Sequence, residues 1–204
     1  RMPLGMAIVV ARSACPHCAR RLVPWDLIPV LSWLAAKGRC RYCGARLGAF
    51  YPLVELAAIV PVLWAATVMT DWLLWVSCLL GWGLLALALI DVRHLILPDA
   101  LTFPLIALGL AVAYGTGAGG VVAHGFAAAA GFAAFAALGF VYERLRGRAG
   151  LGLGDAKMLA VAGAWISWSG LASVVLIGAA AALVVTLGGA IARQSLAPEQ
   201  RIPF

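Results

Sequence analysis

The chain has 204 residues, of which 64% are hydrophobic and only 11% are charged. A soluble globule needs far more polar surface than this, so the composition excludes a soluble globular protein and indicates a membrane protein. The 15 Lys and Arg residues outnumber the 8 acidic residues and give a formal net charge of +7. Because the basic residues are dispersed over loops between apolar runs, no nucleic-acid partner is expected.

Cysteines dominate the N-terminal region. Residues 1–11 contain only a brief apolar stretch, which does not predict a cleavable signal peptide. Two C-x-x-C knuckles follow, with the cysteines Cys15, Cys18, Cys40 and Cys43. Four thiolates at this spacing predict a closed tetrahedral zinc shell, whose role is structural because no position remains for a reactive water. Redox dithiols or disulfides are the alternative, which a reducing cytoplasm disfavours.

Between the knuckles, residues 24–34 are apolar and contain two prolines and two tryptophans. This composition predicts a short amphipathic helix lying at the lipid headgroups. We therefore expect residues 1–50 to form a small cytoplasmic zinc-binding module with an interfacial helix.

Six apolar runs follow, separated by short Gly, Pro or charged breaks. They cover residues 52–69, 72–90, 99–115, 119–142, 156–168 and 170–192. A helix needs about 20 apolar residues to cross a bilayer, so the short fifth run must tilt, thin the bilayer or begin inside the membrane. The sequence predicts an all-α polytopic membrane bundle of about six spans over residues 51–204.

The basic residues predict the orientation of this bundle. If residues 1–51 are cytoplasmic and the six runs alternate across the membrane, all 15 Lys and Arg residues lie on the cytoplasmic side. Such a bias is expected because Lys and Arg near span ends are held back from translocation. The same threading places Asp91 and Asp155 on one face of the membrane.

Ionisable side chains at the edge of a span are costly to bury and are therefore functional candidates. Asp91 closes one apolar run, and Asp155 ends a G-L-G-D segment whose glycines, Gly152 and Gly154, allow close approach of a backbone or a substrate strand. Two carboxylates within a few Å share a proton, because both cannot ionise comfortably. One can then deprotonate water while the other polarises a peptide carbonyl, which is the chemistry of aspartic proteolysis.

Structural roles are the alternatives for these acids. Asp91 could pair with Arg93, and Asp155 could cap a helix N-terminus. Asp99 follows a proline and opens an apolar run, which favours a helix N-cap. Glu55 lies one turn into a span, where a polar partner or a substrate contact is expected.

Together these features resemble the type IV prepilin peptidase family, also called prepilin leader peptidase and N-methyltransferase, over nearly the whole chain. The matching motifs are the two knuckles, P-W-D-L-I-P from Pro24, R-C-R-Y-C-G from Arg39, Y-P-L-V-E from Tyr51, I-D from Ile90, L-P-D from Leu97 and G-L-G-D-A-K from Gly152. Members usually have a further span before the knuckles and another after a Pro-Phe segment like Pro203-Phe204, so more spans than six are usual in the family.

The resemblance implies an aspartic peptidase of the bacterial inner membrane with Asp91 and Asp155 as its catalytic pair. It implies that the enzyme cuts short basic leaders from type IV prepilins or type II secretion pseudopilins at the cytoplasmic face. It also implies methylation of the new N-terminal amine by S-adenosylmethionine, with the cofactor placed in the 11–50 region. The residues expected to contact substrate or support the pair are Gly152, Gly154, Lys157, Glu55 and Asp99.

Two functions without peptidase activity remain open from the sequence alone. An ion-coupled carrier could use the two aspartates as a relay, but acids spread through the depth of the bilayer would then be expected, and the apolar runs lack them. A membrane assembly protein held by its zinc module would leave Asp91 and Asp155 far apart. The proximity of the two acids therefore discriminates between these functions.

Overall fold

The computed structural model describes residues 13–117, 120–147 and 150–193, with side chains up to residue 189. Over these ranges the chain is helical apart from two isolated antiparallel bridges, so the predicted all-α class is confirmed. Residues 1–12, where no signal peptide is predicted, and Pro203-Phe204 lie outside the described residues. The helices are a 3-10 helix (Pro24–Leu27), α1 (Leu31–Ala35), α2 (Phe50–Val68), α3 (Asp71–His94), α4 (Asp99–Thr116), α5 (Val121–Arg146) and α6 (Leu153–Arg193).

Five helices, α2 to α6, are long and apolar enough to cross a membrane. This number differs from the predicted six because α6 unites the fifth and sixth apolar runs in one element of 41 residues. The element is kinked at Ser167, which has non-helical angles of φ 55° and ψ −160° and lies two residues before the predicted break. Leu171, after the kink, belongs to the same buried cluster as Leu159, before it, and Ala127 of α5.

The chain divides into two compact units, with the boundary between Leu85 and Ala86 inside α3. The first unit contains the knuckles, α1, α2 and most of α3. The second contains the last turns of α3 together with α4, α5 and α6. Asp91 and Asp155 therefore belong to the same unit, whereas the four knuckle cysteines belong to the other.

Residues 24–34 do not form the single interfacial helix that the sequence predicts. They form the 3-10 helix and α1, separated by a break in which Val30 has φ 59°. A β-branched residue rarely adopts positive φ, and Pro29 has no N–H for a helical hydrogen bond. The Val30 N–H donates instead to the Glu55 carboxylate of α2 at 2.7 Å, so Glu55 has the polar partner that the sequence predicts.

Within the first unit, α2 and α3 approach closely at Pro61 and Gly81. A Cβ on Gly81 would lie 2.4 Å from the Pro61 Cβ, so a side chain at this position would push the helices apart. Trp82, the next residue of α3, donates from Nε1 to the Ala58 carbonyl of α2 at 2.8 Å. Small residues and interhelical hydrogen bonds of this kind stabilise helix pairs in lipid.

Within the second unit, α4, α5 and α6 also pack through small residues. A Cβ on Gly163 of α6 would lie 2.5 Å from the Ala128 nitrogen of α5, and a Cβ on Gly109 of α4 would lie 2.7 Å from the Trp165 ring. Trp165 donates from Nε1 to the Leu105 carbonyl of α4 at 2.9 Å. These contacts fix the position of α6, whose first turn contains the G-L-G-D segment, against α4 and α5.

Candidate active site and metal centre

The two knuckles share one backbone geometry. In each, the N–H of the first cysteine, Cys15 or Cys40, donates to the carbonyl five residues on. In each, the residue four positions after that cysteine has a left-handed φ, which is 57° at Ala19 and 68° at Gly44, and its N–H donates back to the cysteine carbonyl. An isolated antiparallel bridge closes each loop. Because both knuckles have the same local fold, the two thiols of each knuckle point in one direction.

The four knuckle thiols converge on one point, as the sequence predicts. The Sγ atoms of Cys15, Cys18, Cys40 and Cys43 all lie within 4.8 Å of one another, and none is in a disulfide. The Sγ atoms of Cys15 and Cys43 are 3.9 Å apart. Zinc–sulfur bonds of about 2.3 Å place tetrahedral sulfurs about 3.8 Å from each other. The donor set thus fits one four-coordinate metal ion with no position open for chemistry.

The thiols differ in how readily each loses its proton. The backbone N–H groups of Cys18 and His17 donate to the Cys15 sulfur and lower the pKa of that thiol to about 6. At Cys43 the Ala45 N–H lowers the pKa, but desolvation and the neighbouring thiols outweigh it and raise the pKa to about 11. A bound cation would favour the thiolate form of all four cysteines.

Asp26, which lies between the knuckles in sequence, binds the second knuckle. Its Oδ2 accepts a hydrogen bond from the Tyr42 hydroxyl at 3.0 Å, and its Oδ1 lies 3.4 Å from the Arg41 guanidinium. The hydrogen bond to Asp26 raises the pKa of Tyr42. The Arg20 guanidinium lies 4.3 Å from the centroid of the Tyr42 ring. Sequence reasoning missed this link because Asp26 and Tyr42 are 16 residues apart and share no motif.

A cleft of about 380 Å³ lies beside the knuckles in the first unit. Its walls include the aromatic rings of Trp33 and Tyr51, the carboxylates of Asp26 and Glu55, and the Arg39 guanidinium. A volume of this size and a wall of apolar faces with a few charged groups are typical of small-molecule sites.

Asp91 lies near the C-terminal end of α3, and only 8% of it is exposed. Leu97, six residues after Asp91, packs on Gly154, the residue immediately before Asp155. The connection that follows Asp91 therefore lies against the turn that carries Asp155, and both acids belong to one compact unit. α3 ends three residues after Asp91, and the N–H of Leu95 donates to the Asp91 carbonyl at 2.8 Å.

Asp155 lies in the first turn of α6 and is partly exposed. Its Oδ2 accepts the Gly152 N–H at 3.2 Å, and its own N–H donates to the Gly152 carbonyl at 3.2 Å. An acid at the third helical position often reaches back in this way to the residue before a helix. Asp155 therefore caps the start of α6, and this contact also orients its carboxylate.

The two glycines before Asp155 have different neighbours. A Cβ on Gly154 would lie 2.8 Å from the Cδ1 of Leu97, which belongs to the connection between α3 and α4. A Cβ on Gly152 would meet nothing nearer than 3.7 Å. Close approach by the chain itself therefore accounts for Gly154, whereas Gly152 is exposed and a Cβ there would make only ordinary contacts, one of them with the Asp155 carboxylate.

Asp99 is not the helix N-cap that the sequence predicts. The N-cap residue of α4 is Pro98, and no side chain caps the N–H groups there. The Asp99 carboxylate instead forms an ion pair with the Lys157 ammonium of α6, 58 residues away. The prediction is wrong because the Asp99 carboxylate pairs with a cation that tertiary packing brings near it. The local sequence does not show this contact.

Over the described residues, helices with five candidate spans and a four-thiol centre define a polytopic helical membrane protein. A comparison with family profiles is more specific. Residues 78–187 match the Type IV leader peptidase family, and residues 1–69 match the Bacterial Peptidase A24 N-terminal domain. Since the first profile covers more than half of the chain, the protein belongs to the Type IV leader peptidase family.

Curated relatives are about two-fifths identical to this chain over the aligned residues. It is 40% identical over 185 residues to a protein of Aeromonas hydrophila, covering 89% of this chain and 63% of the relative. It is 41% identical over 197 residues to a protein of Burkholderia pseudomallei strain 1026b, covering 92% and 62%. Both relatives are named prepilin leader peptidase/N-methyltransferase, and the chain spans less than two thirds of their length. No solved structure gave a significant match.

Proposed function

We propose that this protein is an aspartic peptidase that removes the short basic leader from type IV prepilins or type II secretion pseudopilins. The observation that carries the proposal is that Asp91 and Asp155 lie in one compact unit, where Leu97, six residues after Asp91, packs on Gly154 immediately before Asp155. The names of the relatives support the substrate class. A non-catalytic assembly protein would have no need to bring the two acids together.

The proposed location is the cytoplasmic face of the bacterial inner membrane. Five candidate spans support a multi-pass protein. All 15 Lys and Arg residues fall on one side if the two segments of α6, before and after Ser167, count as separate passes. The positive-inside rule assigns that side to the cytoplasm.

In the proposed reaction, Asp91 and Asp155 share one proton. The ionised carboxylate takes a proton from water, whose oxygen attacks the scissile carbonyl carbon while the protonated carboxyl group polarises the carbonyl oxygen. The tetrahedral intermediate collapses when the carboxyl group that took the proton from water gives it to the leaving amine, while a hydroxyl of the intermediate returns a proton to the other carboxylate. The C–N bond breaks, a new carboxyl group forms, and the pair again holds one proton. Gly152 is exposed and has no side chain, so a substrate strand can approach the backbone next to Asp155.

The substrate would lie with its apolar helix in lipid and its basic leader in the cytoplasm. The first segment of α6, residues 153–166, rises only about 20 Å at 1.5 Å per residue, so it is short for a full crossing. If it begins below the headgroups, Asp155 lies in a recess where a low dielectric strengthens its interaction with Asp91.

The test is incubation of the purified chain with a prepilin, with loss of the leader followed by mass spectrometry. Asp91→Asn and Asp155→Asn are each expected to abolish cleavage without reducing the metal content of the first unit. Asp71→Asn, at the other end of α3, is the matched control and should cleave normally. Cleavage retained by either catalytic variant would reject the assignment of the pair.

Methylation of the new N-terminus is the second proposed activity, supported by the N-methyltransferase name of the relatives. The cleft beside the knuckles is large enough for S-adenosylmethionine, which supplies the methyl group. Trp33 and Tyr51 offer aromatic faces for the adenine, while Asp26 and Glu55 offer carboxylates for the cationic groups. A pre-cleaved pilin should gain one methyl group with Asp91→Asn enzyme and none with Trp33→Ala enzyme; methylation undiminished in Trp33→Ala would reject this location.

A further inference from the structure

The connection between α3 and α4 is held in a conformation that its sequence does not favour. It consists of residues 95–98, and Leu95 has φ 52°. A bulky residue at positive φ is costly and persists only when surrounding contacts impose it. Because Asp91 lies on the last turn before this connection, whatever holds the connection also bears on the position of Asp91.

Two contacts hold the connection, and both reach the first turn of α6. Leu97 packs on Gly154, where a Cβ would lie 2.8 Å from its Cδ1. The Asp99 carboxylate, at the start of α4, pairs with the Lys157 ammonium. Gly154 immediately precedes Asp155 and Lys157 follows it by two residues, so the contacts lie on both sides of the second catalytic acid.

We propose that Asp99 and Lys157 are positioning residues for the peptidase reaction. Their ion pair clamps the start of α4 to the start of α6 and so sets the separation of Asp91 and Asp155. The inference rests on the proposed peptidase function. In this role Asp99 and Lys157 contact each other and act on Asp91 and Asp155 through the backbone, without contacting the substrate.

The exposure of the pair distinguishes positioning from a stabilising role. The side chain of Asp99 is 56% exposed and that of Lys157 is 25% exposed. Ion pairs this open to water add little to folding stability. Catalysis is more sensitive, because a displacement of about 1 Å in a reacting group can cost about 100-fold in rate. Loss of the pair should therefore lower kcat much more than it lowers thermal stability.

The experiment is a double-mutant cycle in the full membrane-embedded chain, with prepilin cleavage as the assay. Asp99→Asn and Lys157→Met should each lower kcat by about 10- to 100-fold. KM should stay within about twofold, because neither residue contacts the substrate in this proposal. The double variant should be no slower than the slower single variant, since removing one partner already breaks the pair. Lys157→Arg and Asp99→Glu keep the charges and should stay within about threefold of the unchanged enzyme.

Melting temperatures and the Asn variants of Asp91 and Asp155 complete the design. Each single variant of the pair should melt within about 4 °C of the unchanged chain. Full activity in Lys157→Met, multiplicative losses in the double variant, or a raised KM would each overturn the positioning role. A loss of activity accompanied by a large fall in melting temperature would also overturn it, because the pair would then be structural. Cleavage by Asp91→Asn or Asp155→Asn would instead overturn the proposed peptidase itself.

Discussion

The packing of α5 on α6 in the second unit can be tested by adding one methyl group at Gly163. A Cβ at this position would lie 2.5 Å from the nitrogen of Ala128 and 2.7 Å from the oxygen of Ala127, whereas ordinary contacts begin at 3.4 Å. Both neighbours are backbone atoms of α5, which cannot rotate away. Gly163→Ala therefore requires α5 and α6 to separate by about 0.9 Å, the difference between 3.4 and 2.5 Å.

The cost follows from two opposing effects. Overpacking costs about 1–3 kcal/mol, and the better helix propensity of alanine recovers up to about 1 kcal/mol. We expect a net loss of up to about 2 kcal/mol, which lowers the Tm of a chain of this size by up to roughly 8 °C. Gly178→Ala is the matched control because it lies on the same helix with no atom within 4 Å of its Cβ.

Thermal unfolding of the two variants, purified in the same detergent, measures the difference. The control receives the same gain in helix propensity without a contact to α5, so its Tm should equal or exceed that of the unchanged chain. A Tm for Gly163→Ala that is not below that of Gly178→Ala would refute the close packing of α5 on α6.

The remaining predictions concern the first unit. Serine at any knuckle cysteine should abolish binding of one zinc ion per chain, measured by atomic emission, whereas Cys78→Ser should retain it; full zinc content in a knuckle variant would contradict the four-thiol site. A Cβ on Gly44 would meet no atom within 4 Å, but this residue has φ 68°. Gly44→Ala should therefore weaken zinc binding in a chelator competition, and Ala19→Gly should strengthen it, each by about 1 kcal/mol. Equal affinities would argue against the left-handed geometry. Glu55→Ala leaves the Val30 N–H without its acceptor and should cost about 1–3 kcal/mol of stability, while Glu55→Gln, which keeps an oxygen, should cost less.

The features that the sequence predicts well depend on short-range patterns. The spacing of the cysteines predicts the thiol centre because each knuckle is a local fold, and the two knuckles need only meet. Long apolar runs predict the spans because the length and composition of a run are also local properties of the sequence. That Asp91 and Asp155 share one membrane face stays a prediction from the alternation of spans, and the structure assigns both acids to one compact unit.

The features that the sequence does not predict depend on tertiary contacts or backbone angles. The role of Asp99 was misjudged because its partner, Lys157, is 58 residues away. The break at Val30 and the kink at Ser167 arise at positive φ, which neither residue type favours and which local composition therefore cannot indicate. The sequence does not distinguish Gly154 from Gly152, because the packing of Leu97 on Gly154 is a tertiary contact.

The central claim is that Asp91 and Asp155 act as one catalytic unit with a shared proton, and the rate of leader release tests it most directly. We would measure single-turnover cleavage of a prepilin by the unchanged chain, by Asp91→Asn, by Asp155→Asn and by the double variant. The account predicts that each single change lowers the rate by at least about 1000-fold and that the double variant is no slower than either, as for residues that act together. A single variant that still cleaves, or losses that multiply in the double variant, would contradict it.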